Sequence, residues 1–532
     1  MLDRRKFLGV GFKGIAGSAL LLGLPAVHAR TMEGAPVELK TAAGALRGRQ
    51  SGEVTRFLGI PFAQPPVGAL RFMAPQPAAP WEGVRDALEF GKSAIQTPMP
   101  AKYVPVAAQY DEDCLYLNVW APKTPGPHPV YVYIYGGGNT GGTTSMPVFD
   151  GENLARKGIV TVSIAYRVGV FGFLDVSALL GDAYAGSGNN GLRDQIMALR
   201  WIRENITAFG GDPRRVTIGG QSAGAKNVIS LLAAPAAKGL FQRAISESGG
   251  AHTYATQEMA HDLAERVLET AGLERAQAAQ LKTLPARDLL AIQGKVIANY
   301  PLRYPFRAVV DKVVLPLAPI QAIRNGMARD IPILMGTTRD EQAMFGPAKT
   351  MDGSIESREM ANIDFAAFNR IFAKYKKTLP DLNDAQLRYR ALNAESYWIP
   401  TIRMAEAQAL AGGASWVYRL DMPMAEGERK GYAVHGSELA LVFDNLQDST
   451  APVLGPVGPE ADKLGALMNG LWVSFIRTGK PQAAGAPAWP AYDLKTRNTM
   501  IFDQRSHLAP DLQKAERQLW ADWEPVEGVA RR

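Results

Sequence analysis

Residues 216–227 read VTIGGQSAGAKN: a short β-branched run, then Gly220-Gln221-Ser222-Ala223-Gly224, then residues able to start a helix. A serine hydroxyl attacks a carbonyl carbon only when a neighbouring base takes its proton and fixed donors receive the charge that develops on the carbonyl oxygen. The Gly-x-Ser-x-Gly spacing suits that chemistry. The serine must occupy a tight, strained turn that only small flanking residues tolerate, with Oγ exposed and a helix N-terminus favouring negative charge. Upstream, Gly136-Gly137-Gly138 directly follows an apolar run. Glycines there let backbone N–H groups approach a substrate without side-chain obstruction. The expected chemistry is acyl transfer with Ser222 as nucleophile.

The elements that must position these groups follow from periodicity. From about residue 130, short β-branched or aromatic runs alternate with longer helical patterns, which predicts an α/β domain with a central, mostly parallel sheet covered by helices. Candidate strands are Val130–Tyr135, Val160–Tyr166, Val216–Gly219, Arg243–Ser246, Ile331–Met335 and Trp416–Leu420. Several are continuously apolar, as expected for strands buried on both faces. Between them, Asp194–Glu204 places Ile196, Leu199, Trp201 and Ile202 at helical spacing. Pro/Gly clusters at residues 122–129 and 451–459 read as surface turns, so residues 30–532 are expected to form one large domain with insertions.

Composition narrows the function classes. The 532 residues are 47% hydrophobic and 20% charged, a globular balance that can bury a sizeable core. The formal charge is +7, but Arg4, Arg5, Lys6 and Lys13 stand against Asp3 in the first 29 residues. The basic balance is therefore partly an address, and no nucleic-acid partner is expected. That first segment has a basic start, an apolar stretch from Gly14 to Leu24 and small residues before Ala29. It reads as a signal peptide over residues 1–29, with an apolar run too short to span a bilayer, so no stable membrane insertion is expected after cleavage. Arg4-Arg5 ahead of Phe7 and Leu8 resembles a twin-arginine signal, which implies the twin-arginine export machinery as a partner and a periplasmic or secreted product. A single cysteine, Cys114, excludes an intrachain disulfide and a Cys-x-x-Cys pair. With no phosphate loop, dinucleotide fingerprint or metal-ligand cluster in the sequence, no cofactor and no metal are implied.

Two longer stretches, FGGDPRRVTIGGQSAG (Phe209–Gly224) and EDCLYLNVW (Glu112–Trp120), resemble the two signatures of type-B carboxylesterases, a family that includes bacterial para-nitrobenzyl esterases and animal cholinesterases. Further similar stretches are FLGIPFAQPPVGALRF (Phe57–Phe72), YIYGGG (Tyr133–Gly138), YRVGVFGFL (Tyr166–Leu174), NNGLRDQIMALRWIRENI (Asn189–Ile206) and RAISESGG (Arg243–Gly250). The resemblance runs from about residue 37 to about residue 520 in the family's order. It implies an α/β-hydrolase fold with large loop and helical insertions, and a serine carboxylesterase forming an acyl-enzyme.

In that fold the chain order is Ser, then Asp or Glu, then His. Four histidines follow Ser222: His252, His261, His435 and His507. The first two come too soon to leave room for an acid-bearing strand, and His507 lies in a polar C-terminal stretch. His435 follows the strand pattern Trp416–Leu420 and sits where the family's catalytic histidine lies, which makes it the expected base. Between Ser222 and His435, ILMGTTRDEQAMF (Ile333–Phe345) offers a strand followed by two adjacent acids, Asp340 and Glu341. The resemblance assigns the orienting acid to Glu341 and leaves Asp340 as a turn or helix-capping residue. It also implies the N–H groups of Gly137, Gly138 and Ala223 as the oxyanion hole, and Ser248 as a support for Glu341.

Four positions depart from the family's pattern. An aromatic residue usual after the glycine run is Asn139, predicting a more open or polar wall. The Gly after the triad glutamate is Gln342. The usual Glu before the nucleophile is Gln221, and the loop Gln96–Asp111 contains no Trp. A cationic ester thus loses both its counter-charge and its stacking surface, so uncharged or anionic esters are expected instead. Finally, Cys114 lacks its family disulfide partner, because Ser93–Gln96 has no Cys; it is expected to be a small buried residue beside an unstapled loop. The same triad could act on a lactone, carbamate or polyester. A non-catalytic binding protein on this fold is the reading from another class, against which the retention of Ser222, Glu341 and His435 together argues.

Overall fold

The computed structural model describes residues 34–104, 108–345, 356–448 and 450–523. The expected signal segment, residues 1–29, lies outside the described residues. Twelve strands form the path of the main sheet: β1 (Ala35–Lys40), β2 (Ala45–Ser51), β3 (Val54–Pro61), β4 (Tyr116–Pro122), β5 (His128–Ile134), β6 (Val160–Ile164), β7 (Gly211–Gln221), β8 (Arg243–Glu247), β9 (Ile333–Thr338), β10 (Ser415–Leu420), β11 (Thr499–Phe502) and β12 (His507–Ala509). They lie in the order β1-β2-β3-β4-β6-β5-β7-β8-β9-β10-β11-β12, and a short strand, Val84–Asp86, pairs with β2. Pairing is parallel from β6 through β11 and antiparallel at both flanks.

All six expected strands are present, with ends moved by a few residues. Their continuous apolar runs are buried on both faces: Val130, Val132, Val160, Val162, Ile218, Ile245 and Leu334 are fully inaccessible to solvent. Of the six strands outside the expected set, β1–β4 and β12 lie in the antiparallel flanks, and β11 is the last strand of the parallel run. β1 and β2 carry arginines, lysine and glutamate on half-exposed backbone, so their sequences lack the apolar run that marks a central strand. The Pro/Gly cluster at 451–459 is not wholly a surface turn. Ala451–Leu454 is a short helix that buries Ala451 and Leu454, and Pro459 opens a 20-residue helix.

Three helices bear on the site: α1 (Asn190–Asn205), α2 (Ala223–Ala233) and α3 (Pro459–Thr478). α1 buries Ile196, Leu199, Trp201 and Ile202 as the periodicity predicts, together with Asp194. The Asp194 carboxylate accepts from Arg167 Nε (2.8 Å), Nη2 (2.7 Å) and backbone N (3.0 Å), fixing the segment after β6 to the helix. Removing one partner of so buried a pair costs on the order of 3–5 kcal/mol, because the other charge is left without compensation. Helical insertions fill the intervals between β8 and β9 and between β9 and β10.

The order in which strands are added reverses at β5: β6 pairs on one side of it and β7 on the other, both parallel. At such a switch point the connections leave in opposite directions and open a crevice at the carboxyl ends of the strands. The glycine run follows β5 there, and Ser222 follows β7.

Beneath this edge lie two buried acids. Glu247, the last residue of β8, accepts from Trp472 Nε1 on α3 at 2.8 Å through Oε1, while Oε2 finds no partner. Burial pushes Glu247 up to about 8, against a small opposing effect of the Trp472 bond. Burial, reinforced by the charges of Glu247 and Glu341, raises Glu438 well above the ordinary carboxyl range. Acids raised in this way stabilise the fold below their ordinary value, and the contribution is lost as pH climbs through about 8. The Glu247 contribution to the melting temperature should therefore fall between pH 5 and pH 9, on top of the opposite trends from the lowered His252 and Lys226. Glu247→Gln, which keeps an acceptor for Trp472 but cannot ionise, should flatten that fall; an unchanged slope in a thermal melt series would refute the assignment.

Candidate active site

Ser222 links β7 to α2 with φ 59° and ψ −124°, a conformation that costs an L-residue of order 1–3 kcal/mol and persists only when its surroundings hold it. They do so here. Ser222 N donates to Glu247 O (2.8 Å), and Ser222 O accepts from Lys226 N one turn into α2 (3.0 Å). The two motif glycines are required by close approach. A Cβ on Gly224 would lie 2.0 Å from Ile134 O, and one on Gly220 would lie 2.7 Å from the same atom.

The glycine run after β5 lies against this turn. A Cβ on Gly136 would come within 2.9 Å of Ser222 Cβ. Gly137 O accepts from Thr140 N and Gly141 N, both at 3.1 Å, which curls the segment. Among the described residues, the N–H groups of Gly137 and Gly138 donate to nothing, and Ala223, the first residue of α2, has no intrahelical acceptor for its own. Asn139 makes the wall polar, as expected: its Oδ1 accepts from Asn227 Nδ2 at 3.0 Å, and its positive φ of 56° suits an asparagine.

Glu341 begins a short 3-10 turn three residues beyond the end of β9. Its Oε1 accepts from Ser248 Oγ (2.7 Å) and Thr338 N (2.8 Å), and its Oε2 is in close contact with His435 Nδ1. Sharing Nδ1–H with Glu341 leaves His435 Nε2 as the lone-pair nitrogen. Nε2 meets Gln221 Nε2 at 3.1 Å, so the Gln221 amide donates to the nitrogen that a base would use. The imidazole packs against Tyr397 (ring centroids 4.9 Å apart) and Phe345 (5.1 Å), which also stack on each other at 6.5 Å. Direct hydrogen bonds thus join Glu341, His435, Ser248 and Gln221. Ser222 is placed beside them by the turn, and its Oγ makes no hydrogen bond among the described residues.

Asp340 is a turn residue, as one of its two expected roles has it, but its side chain does not cap the 3-10 turn; it bonds both ways with Ala433, Asp340 N to Ala433 O and Ala433 N to Asp340 Oδ2, each at 2.9 Å. The carboxylate next to Glu341 therefore holds the loop that carries His435. Gln342 needs no glycine conformation. Its N donates to Asn393 Oδ1 and its Oε1 accepts from Arg303 Nη1, both at 2.9 Å, which anchors the turn to the inserted helices.

The other histidines lie elsewhere. His252 stacks on Trp523 at 5.0 Å and is pushed down to about 3 by burial, His261 pairs with Gln257, and His507 is exposed on β12. Cys114 is buried, and burial raises its thiol well above the ordinary range. The loop beside it has no disulfide, yet Ser93–Ala94 pairs with Tyr110–Asp111 at its base. Gln96 exchanges two 2.7 Å hydrogen bonds with the backbone of Gly142. A cavity beside Ser222 reveals residues with no expected role, Lys226, Tyr304 and Arg307. The signal for Lys226 is a single cation four residues after the nucleophile in an otherwise uncharged helix. Among the described residues, no cluster of His, Cys, Asp and Glu could hold a metal ion, and no helix is long and apolar enough to cross a membrane.

Residues 35–520 match the family model described as the carboxylesterase family. The chain is 38% identical to the para-nitrobenzyl esterase of Bacillus subtilis, over 90% of this chain and 97% of that protein. It is 34% identical to the fumonisin B1 esterase of Sphingopyxis macrogoltabida, over 85% and 84% of the two chains. Among solved structures, a Geobacillus stearothermophilus carboxylesterase superposes with a TM-score of 0.80 at 35% identity, covering 91% of this chain and 99% of that one. A para-nitrobenzyl esterase superposes with a TM-score of 0.79 at 35% identity and the same coverage. With its mostly parallel sheet and crevice at the strand ends, the chain belongs to the carboxylesterase family and is a carboxylic ester hydrolase of the α/β-hydrolase fold.

Proposed function

We propose that this enzyme hydrolyses uncharged or anionic carboxylic esters through an acyl-enzyme on Ser222. The observation that carries the reading is the chain of contacts from Ser248 and Thr338 through Glu341 to His435, set beside the strained turn of Ser222. In this mechanism Ser222 Oγ attacks the ester carbonyl carbon while His435 Nε2 takes its proton. Glu341 holds the imidazole in the required tautomer and stabilises the imidazolium. The carbonyl oxygen becomes an oxyanion received by the N–H groups of Gly137, Gly138 and Ala223, and such preorganised donors contribute about 2.7–4 kcal/mol each when removed singly. Collapse of the tetrahedral species breaks the ester C–O bond, and His435 returns the proton to the departing alcohol. Water, deprotonated by His435, then attacks the acyl carbon, and Ser222 leaves with its proton restored.

Gln221 has a part in this cycle. Its amide occupies Nε2 in the resting site and has to turn aside as the serine proton arrives, since an imidazolium Nε2–H cannot accept. Its neutrality removes the anion that would attract a quaternary ammonium.

We also propose that the chain is exported in precursor form by the twin-arginine machinery and acts in the periplasm or outside the cell. The support is the pattern of residues 1–29, with Arg4-Arg5 ahead of the apolar stretch.

Ser222→Ala should lower kcat by on the order of 10⁴- to 10⁶-fold, and His435→Ala should be about as damaging, because triad members act as one unit. His507→Ala should have little effect. Rates on p-nitrophenyl acetate with all three folded variants check this; full activity in Ser222→Ala, or equal losses at the two histidines, would contradict the assignments.

For export, the mature protein should begin at Arg30, and replacing both Arg4 and Arg5 with Lys should leave the precursor in the cytoplasm. N-terminal sequencing of the exported form and cell fractionation read this out. Export that survives the double substitution but stops when the general secretory route is blocked would refute the twin-arginine address.

A further inference from the structure

α2 carries Lys226 one turn beyond the nucleophile, on the face of the helix that Ser222 begins. Its ammonium lies over the ring of Tyr304 at 4.8 Å and near that of Tyr397 at 5.6 Å. Among the described residues, no carboxylate approaches it within ion-pair distance and its Nζ makes no hydrogen bond. Two guanidinium groups stand nearby. Arg303 spends one donor on Gln342 and otherwise lies over the faces of Phe345 (4.4 Å) and Tyr304 (4.9 Å). Arg307 is clamped by three backbone carbonyls, those of Tyr304 and Ala361 at 2.7 Å each and that of Arg303, none of which neutralises it.

The acids in the neighbourhood are already committed. Glu395 accepts from Ala361 N (3.0 Å), Asn362 N (2.6 Å) and Ser396 Oγ (2.7 Å), and Glu341 holds His435. Lys226, Arg303 and Arg307 thus stand in a largely buried site whose neighbouring carboxylates, Glu341, Glu395 and the Arg388-paired Glu359, are already committed, an arrangement that costs free energy unless an anion completes it.

The location says which part of a substrate that anion belongs to. Lys226 and Arg307 line the cavity beside Ser222 together with Gly138, Asn139 and Ala223, which flank the amides proposed for the oxyanion. His435 is not in that lining; it packs against Phe345, and the Tyr397 ring is shared between it and Lys226. The alcohol must leave toward the histidine that protonates it, so the cavity takes the acyl group.

The geometry points to an acyl-side anion subsite, formed by Lys226 with Arg307 and with Arg303 adding positive potential from outside the lining, that selects esters whose acyl group carries a second carboxylate: half-esters of dicarboxylic acids. This inference rests on the serine-esterase reading above. Lys226 donates to the distal carboxylate, the arginines supply the surrounding positive potential, and the rings of Tyr304 and Tyr397 hold the ammonium in place while the site is empty of substrate.

A pH signature follows. Burial, and then the charge of Arg307, push Lys226 down to about 7, with Arg303 acting in the same direction and Glu395 and Glu341 opposing. The other titratable groups facing it are Tyr304, Tyr397 and, across the site, His435. The cation that recognises the carboxylate is therefore present below about 7 and is lost as pH rises through that value.

The test compares monoethyl succinate with ethyl 4-methylpentanoate, a near-isostere without the charge, by product analysis between pH 6 and pH 9. The half-ester stays ionised across that range, since its carboxyl titrates near pH 4–5, as an ordinary carboxyl does. Taking the ratio of kcat/KM values cancels the ionisation of His435. The ratio should fall as pH rises through about 7 in the wild-type enzyme. Lys226→Met should lower it by roughly 10- to 100-fold at pH 6, as expected for losing a hydrogen bond to a charged group. Lys226→Arg should restore most of the loss. 3-Acetoxypropanoate, whose charge lies on the alcohol side, should show neither effect. Hydrolysis of the neutral ester with a ratio that is flat in pH and unmoved by Lys226→Met would overturn the subsite. An equal response of 3-acetoxypropanoate would overturn its acyl-side placement. Failure of the wild-type enzyme to cleave any of the three esters would instead overturn the esterase reading on which it rests. If Lys226→Met does not fold, the wild-type pH dependence alone decides.

Discussion

Much of this molecule is arranged around one unfavourable backbone conformation, that of Ser222. A strand of a parallel sheet ends pointing into a crevice, and a helix must begin immediately after it, so the connecting residue is forced to a positive φ with its side chain outward. The neighbouring strand holds it through the carbonyl of Glu247. The carbonyl of Ile134 approaches so closely that positions 220 and 224 have no room for a side chain. The strain at one residue therefore sets the composition of three elements. The same crowding brings the glycine run, at the end of the adjacent strand, to the place where charge on an attacked carbonyl would develop.

Charge is handled differently on the two sides of that turn. Behind it, Glu341 is given hydrogen bonds from Ser248 and Thr338 and a histidine to hold, while Glu247 and Glu438 are pushed up by burial and keep the region from accumulating further negative charge. In front of it, Lys226, Arg303 and Arg307 gather without a free carboxylate among them. Gln221 stands between the two regions, a neutral side chain in contact with the imidazole at a position where an acid is usual. Its neutrality and the cationic wall both support the proposed preference for substrates that are not cations.

What could be read from the sequence followed from how local each signal was. The central strands were legible because burial on both faces leaves an uninterrupted apolar run, as in Val160–Ile164. The flanking antiparallel strands were not, because Ala45–Ser51 alternates glycine and arginine on half-exposed backbone and resembles a loop. Ser222 could be named because its turn constrains four neighbours within a few residues. The choice between Asp340 and Glu341 needed the family resemblance, since both acids follow the same strand. Only the fold shows that Asp340 reaches Ala433 and holds the histidine's loop. Lys226, Arg303 and Arg307 were invisible as a group, because 77 positions separate the first from the second and nothing in either segment indicates that they meet.

The central claim is that Ser222 carries the acyl group, and covalent trapping tests it most directly. The mature enzyme, incubated with a fluorophosphonate or an organophosphate ester and digested for mass spectrometry, should carry one adduct per chain, on the peptide that contains Gln221-Ser222-Ala223. Labelling and loss of activity should advance together. Complete inactivation with the adduct on another residue, or hydrolysis of p-nitrophenyl acetate that persists once Ser222 is fully modified, would contradict the account.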